Sequence, residues 1–126
     1  MSPRSTSGEE PPMRRLREKL TKENMWLYVL SILRERPAYP YEISDIIERK
    51  FGWRPARVTA YIVLRSLLSK GYVKMVQKRG KTGKMRNYYE ITDSGRKLFE
   101  KGIKFLEETR EKLLNPPEDG PDEDLA

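Results

Sequence analysis

Between Val73 and Tyr89 the chain carries Lys74, Lys78, Arg79, Lys81, Lys84 and Arg86 and no acidic residue, with Gly80 and Gly83 among them. Cations on a glycine-bearing tip can approach a polyanion closely, neutralising phosphates or entering a minor groove. A second set precedes it: Arg54, Arg57, Thr59, Tyr61, Arg65 and Ser66. Arginine pairs bidentately with guanine O6 and N7, threonine touches a thymine methyl or a phosphate, and tyrosine and serine hydroxyls donate to phosphate oxygens. Both sets also have a plain reading, as solvated residues of an exposed helix and a basic surface loop. An unbroken run of one sign in a chain holding 19 acids weighs against that reading for the loop.

Other chemistries are closed by composition. The chain has no cysteine and no histidine, which excludes disulfides, thiolate and imidazole chemistry and the usual zinc sites. Gly80-Lys81-Thr82 copies the end of a phosphate-binding loop, but Met75 stands where that pattern needs its first glycine. The pairs Glu9-Glu10 and Glu107-Glu108 lack any partner for acid–base work. No enzyme, cofactor or metal is expected. The net charge of +7 includes five carboxylates and no cation in residues 115–126, so residues 1–114 alone carry +12. A body that basic suits nucleic acid before a membrane. The longest apolar run, Met25 to Leu30, is far short of the roughly 20 residues of a membrane span. The first twelve residues lack the apolar core of a secretory signal, so the expected compartment is the cytoplasm.

The elements that must position these residues follow from hydrophobic period and punctuation. Leu16, Leu20, Trp26, Leu27, Leu30 and Leu33 recur at helical steps, predicting a helix from Met13 to Arg36 that Pro37 closes. A second helix opens at Pro40, is lined by Tyr41, Ile43, Ile46, Ile47 and Phe51, and ends at Gly52. A third runs from Pro55 to Lys70, with Val58, Ile62, Leu64, Leu67 and Leu68 as its expected buried stripe. Tyr72–Val76 and Tyr88–Ile91 read as strands around a loop tip at 78–84. Thr92 and Asp93 then cap and charge a last helix that reaches Leu114.

The fold class is therefore mainly α with a small β-hairpin: a winged helix-turn-helix with an added N-terminal helix and a long C-terminal one. The domain reading is a disordered leader (1–12), a winged-helix DNA-binding domain (13–91), a dimerisation helix (92–114) and an acidic disordered tail (115–126). A three-helix core with a hairpin does not need the last helix. Its stripe (Phe99, Ile103, Leu106, Leu113), with Leu16, Leu20 and Trp26, either meets a second copy of the chain or folds back onto its own core. A homodimer would place two third helices about 34 Å apart, matching a palindromic duplex site. Trp26 and Trp53 either form a flat pocket for a small hydrophobic effector or belong to the core. Double-stranded DNA and a second copy are the expected partners. A winged-helix interaction module inside a larger assembly is the reading from another class.

Three segments carry a family likeness. Tyr41-Glu42-Ile43 opens the second helix, Thr59 to Val73 spans the third helix and the following strand, and Asn87 to Gly95 leads out of the hairpin. In that order and spacing the stretch from Met25 to Leu114 resembles the PadR family of winged-helix regulators. The resemblance implies a dimer formed through the first and last helices, repression by occupying promoters, and phosphate contacts from Tyr61 and the wing cations. The single C-terminal helix is similar to a shorter branch of the family, some of whose members take planar hydrophobic ligands between subunits. Pro40 stands where the family usually has glycine, and Phe51 to Arg57 is more compact and more basic than usual.

Overall fold

A computed structural model describes residues 8–119. Most of the expected leader (1–7) and part of the acidic tail (120–126) lie outside the described residues. The elements run α1 (Pro11–Leu20), a 3₁₀ turn (Lys22–Asn24), α2 (Met25–Glu35), α3 (Pro40–Phe51), α4 (Arg57–Ser69), β1 (Val73–Arg79), β2 (Met85–Ile91) and α5 (Asp93–Leu114).

The expected single helix from Met13 to Arg36 is two helices, and the first begins at Pro11. Thr21 and Asn24 explain the break. Thr21 Oγ1 donates to the Arg17 carbonyl (2.8 Å) and Asn24 Nδ2 to the Lys19 carbonyl (2.6 Å), so both side chains take up the last carbonyls of α1. α1 starts on two prolines and buries no side chain, while the Glu9 carboxylate holds Arg17 at 2.7 Å.

α2 is the central element and packs against α3, α4, α5 and β2. Met25, Val29, Leu30, Ile32 and Leu33 are its buried side chains, and α3 adds Ile43, Ile46 and Ile47. Each such aliphatic side chain contributes about 1.5–3 kcal/mol by leaving water. Glu42 accepts the Tyr39 N–H at the start of α3 (3.1 Å), and Gly52 ends the helix at a φ of +82°. Tyr41 and Phe51, expected to line α3, are instead exposed, because Ile43, Ile46 and Ile47 already fill its inward face.

Of the stripe expected on α4, Leu64 and Leu67 are buried and Leu68 is half-buried against the core. Val58 and Ile62 face away from the core, so the inward face is rotated from the one expected. Its buried residues are Ala60, Leu64 and Leu67, while Val58 and Ile62 are 65% and 61% exposed. Fully buried Ala60 completes the inward face, and two β-branched side chains are carried to the far side. β1 and β2 pair antiparallel from Val73↔Ile91 to Arg79↔Met85, longer than the expected strands. Ala38 adds a bridge to Tyr89, tying the segment between α2 and α3 to the hairpin.

Thr92 caps α5 by accepting the Gly95 N–H at 3.2 Å. Gly95 is buried so closely that an added Cβ would lie 2.1 Å from the Tyr72 carbonyl oxygen. At Gly102 a Cβ would lie 2.8 Å from Leu27 and 3.0 Å from the Trp26 ring, so α5 crosses α2 at that residue. Gly95→Ala meets backbone that cannot yield, and it should destabilise the protein by about 3 kcal/mol. Gly102→Ala meets side chains that can move and should cost less. Urea denaturation of the two variants checks the order; equal midpoints would refute it.

Candidate nucleic-acid interface

α4 contains no acidic residue. With Ala60, Leu64 and Leu67 facing the core, helical geometry places Val58, Ile62 and Arg65 outward. Arg57 and Tyr61 fall on one flank, Thr59 and Ser66 on the other. Arg57 sits at the N-terminal end, the end that approaches base edges in helix-turn-helix complexes. Its guanidinium lies 4.0 Å from the centroid of the exposed Tyr41 ring, a stack that narrows the orientations of a long side chain. Arg65 lies 5.9 Å from the Tyr61 ring. Burial pushes the Tyr89 phenol of β2 up from its ordinary value, with neighbouring Tyr61 adding to the effect and Arg65 opposing it. Tyr61 and Arg65 of α4 thus lie near enough to Tyr89 of the hairpin for their charges to act on it.

Arg54 does not share the freedom expected of it. It precedes α4, in the turn, and its Nη1 donates to Asp45 at 2.6 Å and Glu48 at 3.0 Å, both on α3. The hydrogen bond from Arg54 holds the Asp45 carboxyl below the ordinary carboxylate range. Arg54 therefore offsets two carboxylates that border the basic face, and sequence reasoning missed both acids. They stand nine and six residues away across a turn, with no pattern linking them to Arg54.

The hairpin cations divide in the same way. Lys78 pairs with Glu90 at 3.1 Å, and Arg79 donates to the Gly83 carbonyl at 2.6 Å, bracing the tip. Gly83 turns that tip at a φ of +85°. Arg86 is half-buried, its guanidinium 4.4 Å from the Tyr39 ring, and Tyr39 meets Tyr88 edge-on at 5.5 Å. Lys81 and Lys84 are exposed and have no ion-pair partner among the described residues. Arg36, which sequence reasoning passed over, joins Lys81 and Arg86 around a cavity of about 470 Å³ closed by Tyr39, Glu42 and Tyr88.

Residues expected between two copies of the chain also divide. Leu16, Leu20 and Leu113 are exposed, as is Phe105, whereas Ile103, Leu106 and Trp26 are half-buried. Phe99 belongs to the chain's own core, beneath the Arg34 guanidinium. The first half of α5 thus folds back, and its second half carries the unpartnered apolar side chains. The two tryptophans do not share a pocket. Trp26 borders a cavity of about 420 Å³ with Ile62, Leu67, Tyr72 and Leu98, while Trp53 is buried edge-on against Tyr28. Among the described residues no group of three side chains could hold a metal, and no helix is long and apolar enough to cross a membrane.

Two helices joined by a tight turn and followed by an antiparallel hairpin define a winged helix-turn-helix protein. The sequence profile of the transcriptional regulator PadR-like family matches residues 29–101, and the chain belongs to that family. This is a family of transcriptional regulators and not of enzymes. No curated protein matches the sequence. Among solved structures, a transcriptional regulator from Clostridium thermocellum is 29% identical, with a TM-score of 0.61 over 74% of this chain and 92% of its own. A PadR-like regulator from Bacillus cereus is 22% identical, with a TM-score of 0.62 over 76% and 96%. The PadR protein of Bacillus subtilis, solved in complex with operator DNA, is 19% identical, with a TM-score of 0.53 over 77% of this chain and 50% of its own.

Replacing Arg54 and Arg57 separates their roles. Arg57→Ala should relax base preference and cost about 1–3 kcal/mol on the preferred duplex. Arg54→Ala should leave base preference intact but weaken binding to every duplex, because Asp45 and Glu48 lose their counter-charge. Anisotropy titrations on preferred and scrambled duplexes distinguish the two. Loss of preference on replacing Arg54 would show that it reads bases.

Proposed function

We propose that the protein is a homodimeric, sequence-specific double-stranded DNA-binding repressor of transcription, acting in the cytoplasm. α4 enters the major groove, and the wing grips the adjacent backbone or minor groove. The carrying observation is the acid-free outward surface of α4, set beside a hairpin whose exposed tip is wholly cationic. The solved complex of the Bacillus subtilis protein with operator DNA supports the same use of this fold.

Contacts with phosphate then come chiefly from Lys81, Lys84 and Tyr61, with Lys78, Arg79 and Arg86 held in place by neighbours. Each phosphate neutralised contributes about −0.9 to the slope of log affinity against log salt. Lys81→Ala and Lys84→Ala should each make that slope shallower by about one unit while keeping base preference. A salt series in anisotropy measures this, and an unchanged slope in both variants would remove the tip from the interface.

Dimerisation rests on the apolar surface left open by α1 and the end of α5. Met13, Leu16 and Leu20 on α1, and Phe105, Leu113 and Leu114 on α5, are all exposed. A second copy would cover them and close an apolar trough of about 250 Å³ between Leu20, Leu27, Tyr28, Phe51, Phe99, Ile103 and Leu106. That trough is where a small hydrophobic effector would sit, if one regulates binding. Leu16→Asp with Leu113→Asp alters only exposed positions, so the fold should survive. Sedimentation should then report a monomer where the parent chain is a dimer, and affinity for a two-half-site duplex should collapse. A parent chain that is itself monomeric at micromolar concentration would refute this part of the proposal.

A further inference from the structure

The outward face of α4 is not uniformly polar. On it, in the N-terminal half, stand Val58 and Ile62, 65% and 61% exposed, on a helix whose opposite face is closed by Ala60, Leu64 and Leu67. Arg57 and Arg65 lie to one side of them and Thr59 and Ser66 to the other, where Ile62 also borders the cavity beside Trp26. The helix has no acid. Cations along one side and the absence of any acid on the helix favour a polyanion as the surface that covers the pair.

On a duplex, an outward side chain in the N-terminal half of a helix in the major groove meets base edges. Those edges are hydrogen-bonding groups with one exception, the C5 methyl of thymine. Valine and isoleucine offer nothing to N7, O6, N4 or N6, but they bury a methyl well. Both are β-branched and stiff at χ1, so little side-chain freedom is lost on contact. They stand four residues apart on one face, with Cβ atoms about 6 Å from each other, a separation of roughly two base steps. Val58 belongs to the first turn, the end of the helix nearest the bases.

We propose that Val58 and Ile62 are specificity-determining residues that select thymine through its C5 methyl, resting on the reading of α4 as the helix in the major groove. Arg57 then reads a neighbouring position by hydrogen bonding, and the pair adds an apolar component to the recognised sequence.

The test uses the tightest duplex selected by the full-length protein from a random pool. Each thymine in it is replaced singly by deoxyuridine, which removes the methyl and keeps every hydrogen bond. At one or two positions the replacement should weaken the parent protein by about fourfold, the effect of exposing one methyl-sized apolar group. Val58→Ser or Ile62→Ser should bind the thymine duplex more weakly and lose its difference from the uracil duplex at the matching position. Both changes are on the exposed face, and a circular-dichroism melt confirms that each variant is folded. A parent protein indifferent to uracil at every position overturns the inference while leaving DNA binding intact. So does a pair of variants that bind DNA normally but change the state of association, which would assign the patch to a protein contact. A parent protein that enriches no sequence from the pool overturns the DNA-binding reading itself and this inference with it.

Discussion

The relative angles of α4, the hairpin and α5 are set at one crossing, around the Tyr72 carbonyl. Gly71 leaves α4 with a φ of +81°, and the Tyr72 N–H returns to the Leu67 carbonyl at 2.9 Å. The Tyr72 carbonyl then accepts the Thr92 N–H at 3.1 Å, where β2 ends and α5 begins. Thr92 Oγ1 and Ser94 Oγ both donate to the Gly71 carbonyl, at 2.7 and 3.0 Å. The end of α4 and the junction of β2 with α5, 21 residues apart at Gly71 and Thr92, are tied through two consecutive residues. Only a residue without a Cβ fits at position 95, against that same carbonyl. The wing therefore cannot swing against α4 without also moving the start of α5.

This geometry explains which parts of the molecule were legible in the sequence. Pro40, Gly52, Gly71 and Thr92 mark boundaries through local chemistry, a fixed φ, a positive φ or a cap, and the structure places element ends beside all four. The helix-turn-helix, the hairpin and the long last helix follow from such signals. The break at Thr21 was missed because the apolar period runs through it without interruption. Its cause is hydrogen bonding by Thr21 and Asn24, which periodicity does not register.

The rotation of α4 was missed for a related reason. A reading that equates apolar with buried assigns Val58 and Ile62 to the core and overlooks Ala60, the small residue that allows the helix to pack closely. If α4 is the helix proposed to meet base edges, its outer face can carry apolar side chains, and the rule fails where a second apolar demand applies. The cations show the corresponding limit for charge. Composition counted them correctly, but only the fold reveals that Arg54, Lys78, Arg79 and Arg86 are engaged by neighbours.

That division has a consequence for recognition. An engaged cation adds less to the salt-dependent attraction, because part of its field already falls on a carboxylate or a ring. It is better oriented, however, since its rotamers are restricted before any partner arrives. The free lysines at the tip suit fast, sequence-blind capture of a backbone. The stacked Arg57 suits selective pairing once the helix is seated. Crossing α2 at Gly102 and tied to Tyr72 at its start, α5 would hold a second copy, in the proposed dimer, at a fixed distance from these groups. In the proposed dimer the spacing of the two copies of α4 would then be a property of the folded chain and not of the DNA. A duplex with the wrong half-site separation must bend or twist to engage both copies, at an elastic cost that adds discrimination beyond the bases touched.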